Sequence, residues 1–156
     1  MNTATRIALL LVPLLALGCS STKTATFNVT VENQTDSTLM VFLTKDGLPN
    51  EPGWMGPEQL ATLRKADDDS ISGAHEIPAG KTLYMPKDVQ GTFAPDTSPL
   101  LRIYRGKFRG LADLLAVSSS SPDFLEFRLP PGKSHWIITT SPDGRLSHKG
   151  AWDAQK

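Results

Sequence analysis

The sequence predicts an all-β domain: a small β-sandwich, immunoglobulin-like or transthyretin-like, carrying one or two short helices. Three observations lead there. Apolar residues alternate with polar ones over short runs, as in strands buried on one face. Twelve Gly and twelve Pro in 156 residues exceed the roughly 12 % usual in globular chains, and they punctuate those runs as turns. Only two brief stretches have helical character.

Taken in order, Phe27, Val29 and Val31 alternate with Asn28, Thr30 and Glu32, so one face of this strand is buried. Residues 38–44 are apolar on both faces, as in a central strand. The polar segment 33–37 between them predicts an opening hairpin, and Asp46-Gly47 ends the second strand. Ile77-Pro78-Ala79-Gly80 recurs as Leu129-Pro130-Pro131-Gly132. Pro sets φ and Gly supplies the exit, so each is a tight reversal between strands. Residues 124–129 alternate cleanly and are expected to pair with 135–140 across the second reversal. Leu100 to Arg105 form another strand, and Pro142-Asp143-Gly144 turns the chain again. About six to eight strands are expected. Pro57 at a first helical position, with Glu58 early and Arg64 and Lys65 late, predicts a helix over 57–66. Residues 111–116 suit a second short helix. The excursion 45–74 is the longest connection and the place where function is expected.

The N-terminus reads as an address. After Arg6 the run from Ile7 to Leu17 carries no charge. As a helix it would span about 17 Å, short of the roughly 30 Å hydrocarbon core, so it is a signal h-region. It leads through Ala16-Leu17-Gly18 to Cys19, the sole cysteine. These residues resemble the lipobox of bacterial lipoprotein precursors, with Ala16 standing where that class prefers Leu. The resemblance implies cleavage after Gly18, acylation of Cys19, and a membrane anchor through the N-terminal lipid. Ser20 in place of Asp is similar to the outer-membrane sorting pattern. The expected organisation is a signal peptide over 1–18, a polar tether over 19–25, a sandwich domain over 26–150 and a tail over 151–156. Residues 98–104 followed by 112–116 are also similar to the strand-then-helix of the type VI secretion outer-membrane lipoprotein family. That resemblance implies recruitment of an inner-membrane partner.

Sixteen Lys+Arg balance sixteen Asp+Glu, which removes the electrostatic case for nucleic-acid binding. One cysteine excludes a disulfide framework and a multi-Cys metal cluster. His75, His135 and His148 lack metal-ligand spacing, no G-x-S-x-G elbow occurs, and no cofactor is expected. The acidic run Asp67-Asp68-Asp69 opens like a calcium loop, but Ala79 stands where a bidentate acid is required, so it reads as a solvated loop. Two groups are candidates for binding. Trp54 and Met55 lie in residues 48–56, where Pro49 and Pro52 limit backbone freedom; an indole held there is either a contact residue or a plug over the core. Arg105, Lys107 and Arg109 would share one face of an extended chain; the blander alternative is a charged edge strand. The expected function is a non-enzymatic, lipid-anchored envelope protein that binds a protein or polysaccharide. The alternatives are a glycan-binding module, for which Trp54, Trp136, Trp152, Tyr84 and Tyr104 are the available aromatics, and a type VI secretion-like outer-membrane lipoprotein.

Overall fold

In the computed structural model, residues 21–63, 70–85 and 89–153 are described. The alternation in the first strand is realised: in β1 (Lys23–Asn33), Phe27, Val29 and Val31 are buried while Asn28, Thr30 and Glu32 stay partly exposed. β1 is the centre of one sheet. Its first half pairs antiparallel with β5 (Val89–Phe93) and its second half with β4 (Thr82–Tyr84). On its other side β8 (Gly132–Thr140) runs parallel to it, from Phe27 opposite Gly132 to Asn33 opposite Ile138. β9 (Leu146–Asp153) lies outside β8. The second sheet has the order β3 (Ala74–Ile77), β2 (Leu39–Lys45), β6 (Pro99–Arg105), β7 (Phe124–Arg128), with every pair antiparallel. The domain is therefore the all-β sandwich that its patterning predicts.

The interior side chains of the two sheets meet in one core, where Phe27, Val29, Val31 and Ile138 face Leu39, Val41, Leu101 and Ile103. A second, smaller core lies on the other side of the β2 sheet. There Met40, Phe42 and Tyr104 pack under α1 (Pro57–Leu63) and α2 (Leu111–Leu115) through Leu60, Leu111 and Leu114. β2 is thus buried throughout, which accounts for its unbroken apolar sequence. Among the described residues, the outer face of the β1 sheet has no such cover from a helix.

The expected pairings across the turns are corrected. The segment 33–37 makes no hairpin: β1 and β2 belong to different sheets, and the chain arches between them. The two Pro-Gly reversals do the same, joining β3 to β4 and β7 to β8 across the sandwich. Strand β7 therefore pairs with β6, and β8 with β1 and β9. The reason lies in the turn residues. Ile77 and Leu129 turn inward into the core, and the proline after each has no N–H to continue an in-plane ladder. Gly80, at φ 68°, then takes the left-handed conformation that returns the chain to the opposite sheet.

Asn33 binds these arches together. Its side chain is fully buried. Its Nδ2 donates to the carbonyls of Ser37 (2.8 Å) and Ile77 (2.9 Å). Its Oδ1 accepts from the Thr35 amide (2.9 Å) and hydroxyl (2.7 Å). Its backbone N–H donates to Lys81 and its carbonyl accepts from Gly80, both at 2.9 Å.

The strand count and two boundaries also differ. Nine strands occur among the described residues. The first begins at Lys23, inside the expected tether, because Thr24 and Ala25 pair with β5. The last reaches Asp153, inside the expected tail, because its pairing with β8 continues to Lys133. The first helix ends at Leu63 as described, and the remainder of its expected span lies outside the described residues.

At one side of the sandwich, His148 of β9 stacks on Phe127 of β7, with ring centroids 4.1 Å apart and planes 8° from parallel. Burial pushes the His148 imidazole below its ordinary value.

Two tests follow from this architecture. Asn33→Ala leaves two carbonyls and an amide without their buried partner, each costing about 1–3 kcal/mol. Urea denaturation should show a loss of about 3 kcal/mol or more with an unchanged m-value. For His148, the folded value is depressed, so the unfolded chain takes up the proton first. That contribution is complete above about pH 6.5 and is lost as pH falls through the folded value. The melting temperature should fall as the pH drops below about pH 6.5, and His148→Gln should flatten that part of the profile.

Candidate functional site

Residues 48–56 turn their aromatic side chain inward. Trp54 is 2 % exposed. Its ring packs edge-on against Phe27 (centroids 5.1 Å) and Phe93 (5.2 Å). Its Nε1 donates to the Gln90 carbonyl at 2.8 Å. The backbone of Gly91 makes this possible, since a Cβ there would stand 2.8 Å from the indole. Of the two readings open for Trp54, the geometry is that of the plug, and the contact role is withdrawn. Met55 packs into the second core beneath the helices. The loop is pinned by Lys45, whose buried ammonium meets Glu51 at 2.7 Å and the Thr92 carbonyl at 2.9 Å. The Lys45 hydrogen bond, with a second from the Thr92 amide, holds the Glu51 carboxyl below the usual carboxylate range. A buried cation left without these partners would be expensive, so the loop and the sandwich end close as a unit.

The basic group is also redistributed. β6 is an interior strand between β2 and β7, so the edge-strand alternative falls. It ends at Arg105, and Gly106, at φ 128°, redirects the chain, so 105, 107 and 109 do not share one extended face. Arg105 is a staple between sheets: Nε donates to Asp123 (2.6 Å), Nη1 to Thr140 (3.2 Å) and Nη2 to the Gly144 carbonyl (2.8 Å). Lys107 is exposed. Arg109 lies 3.5 Å from Asp113 on α2. Cys19 and the Asp67–Asp69 run lie outside the described residues.

A different set of residues converges on the outer face of the β1 sheet. The alternation that buries Phe27, Val29 and Val31 turns Thr30 and Glu32 outward. Register places Tyr84 of β4 and His135 of β8 on either side of Thr30, with Ala151 of β9 beyond His135. Thr82 is the neighbour of Glu32, and Lys133 precedes His135 by one outward position. Between these side chains lies an open groove of about 470 Å³. Tyr84 is 76 % exposed and forms one wall. The Glu32 carboxylate accepts from Gln34 Nε2 at 2.6 Å and stands 3.4 Å from His135 Nε2. The groove therefore combines one solvated aromatic ring with hydroxyls, a carboxylate, an imidazole and an ammonium.

A second cleft, about 410 Å³, opens beside α1. Arg102 fills its wall, clamped by Glu58 at 2.6 Å and by Glu126. Beneath it the Thr44 hydroxyl is buried without a hydrogen-bond partner. The nearby Tyr104 phenol is pushed up to about 12, chiefly by burial. Among the described residues no three His, Cys, Asp or Glu side chains gather as metal ligands.

Part of the β1-sheet groove was visible in advance. Thr30 and Glu32 follow from the strand period, and His135 and Tyr84 each stand out by residue type. What brought them together is the parallel pairing of β1 with β8 and the crossing from β3 to β4, neither of which the local pattern encodes. No known protein family matches the chain, and no curated protein matches its sequence.

The plug geometry has a direct test. Trp54→Ala removes a buried aromatic and should cost about 3–5 kcal/mol, read as a lower denaturation midpoint. A variant that unfolds like the wild type would return Trp54 to the candidate contact residues.

Proposed function

We propose that this chain is a non-enzymatic, lipid-anchored protein of the bacterial cell envelope that binds another macromolecule through the outer face of its β1 sheet. The open groove beside Tyr84 carries the binding half of this reading. There, among the described residues, a large aromatic ring remains in solvent among convergent polar groups, whereas the outer face of the β2 sheet is occupied by the protein's own helices. The anchoring half is supported by the sequence: an uncharged run too short to span, ending in Leu17-Gly18 and the sole cysteine. Several acyl chains on Cys19 would hold the domain stably, because one chain alone binds only marginally. The outer membrane is the favoured location, with the domain in the periplasm or on the cell surface. The described helices include none long and apolar enough to cross a membrane, so attachment in this reading rests on the lipid.

Metabolic labelling with a fatty acid tests the anchor. The wild-type protein should incorporate label and partition with membranes. Cys19→Ser should lose the label and accumulate as a precursor uncleaved after Gly18. An unlabelled wild-type protein would overturn the lipoprotein reading.

A further inference from the structure

We infer that the groove beside Tyr84 binds a neutral polysaccharide, with the apolar face of a sugar ring seated on the phenol ring. This rests on the outer face of the β1 sheet being the binding surface, and it names the ligand class. A pyranose has two kinds of surface: a C–H face that is apolar, and a rim of hydroxyls that each donate and accept. Its site must offer a flat, solvent-reached aromatic ring bordered by groups of both kinds. The groove supplies that combination. Tyr84 is 76 % exposed, on a three-residue strand at the sheet margin. Desolvating such a ring is favourable, and its fixed strand leaves little chain entropy to lose.

The rim is matched in the same register. Thr30, directly opposite Tyr84, both donates and accepts. Glu32 accepts, with one oxygen oriented by Gln34. His135 and Lys133 lie on the far side, across β8. Adjacent strands repeat at about 4.8 Å, so these groups form two rows flanking a shallow trough. Ala151 lines its outer end with a single methyl group.

The charges select against an ionic ligand. Glu32 stands against His135 at 3.4 Å, and Lys133 is on the same wall. Neither sign prevails, so a polyanion meets the carboxylate and a polycation meets the ammonium. A hydroxyl-rich neutral ligand satisfies both. A lipid tail does not fit either, because it would bury the Glu32 carboxylate and the Lys133 ammonium of the lining without a polar partner. Its volume, about 470 Å³, falls within the roughly 300–1,000 Å³ of ligand sites. It is open to solvent, as a chain of sugars requires.

The test uses the full-length, detergent-solubilised protein in calorimetric titrations with chitohexaose, cellohexaose and maltoheptaose as neutral probes. Polygalacturonate serves as the acidic one. At least one neutral oligosaccharide should bind. Tyr84→Ala should weaken it at least about tenfold, Tyr84→Phe should retain most of the affinity, and Glu32→Gln should weaken it several-fold. Because Tyr84 is solvated, the melting curve of Tyr84→Ala should match the wild type, which separates lost binding from lost folding. The inference is overturned if no neutral probe binds up to about 10 mM, if Tyr84→Ala binds as well as the wild type, or if polygalacturonate binds best. A photo-crosslinker at position 84 in intact cells distinguishes the two levels. Capture of a protein, with fatty-acid label retained and no sugar bound, would remove the polysaccharide and keep the anchored binding protein.

Discussion

Everything else in this sandwich depends on how the buried amide of Asn33 is satisfied. An amide has two donor hydrogens and an acceptor oxygen, and out of water each must be met. Here Nδ2 spans two carbonyls that belong to different crossings, Ser37 on the way into the β2 sheet and Ile77 on the way out of it. The main chain of the same residue pairs with Gly80 and Lys81. One residue therefore sets where β2 enters the second sheet and where β3 leaves it. The adjacent Gln34 amide donates to the Ile138 carbonyl, which extends the same junction to β8. An aliphatic residue of similar size would fill the space and leave the turns without a reason to cross. Aspartate would fill it with the wrong chemistry, presenting a carboxylate to two carbonyl oxygens.

The two sheets then meet different fates. The β2 sheet is buried on both sides, because Met40, Phe42 and Tyr104 face outward and require the cover of α1 and α2. The β1 sheet carries Thr, Asn and Glu on its outer positions and requires none. The long excursion after β2 is spent on closure: Trp54 seals one end of the main core, and Lys45 with Glu51 ties that seal to β5. A segment rich in Pro and Gly thus serves stability, while the plain, Thr-bearing face of a regular sheet stays open to solvent.

The strand period announced which residues of β1 lie inside, and the unbroken apolar run announced that β2 is interior on both faces. Both are properties of the local chain. The direction taken after each turn is not. Ile77-Pro78-Ala79-Gly80 and Leu129-Pro130-Pro131-Gly132 reverse the chain as their composition requires, yet the choice between an adjacent strand and the opposite sheet rests on tertiary contacts. Arg105, Lys107 and Arg109 looked coplanar only while the strand was assumed to continue through Gly106. Trp54 sat in a segment whose prolines allowed either role, and Gly91, 37 positions later, supplies the space that decides between them. Tyr84 occupies a strand of three residues, too short to carry a period, so its place beside Thr30 emerges only from the pairing with β1.

The central position of β1 also determines how this domain responds to force. The chain enters the fold at Lys23, at one end of β1, and the groove beside Thr30 and Glu32 lies about 25 Å farther along the same strand. A pull between the N-terminal segment and anything held at the groove acts along the strand axis. Ladder hydrogen bonds run across that axis. β1 is held by β5 over its first half, by β4 over its second, and by β8 along seven paired positions. Such a load is borne by all three ladders in shear, so the bonds must yield together and not one after another. A strand at the margin, pulled from its end, would peel. The geometry gives the path from Lys23 to the groove the character of a clamp.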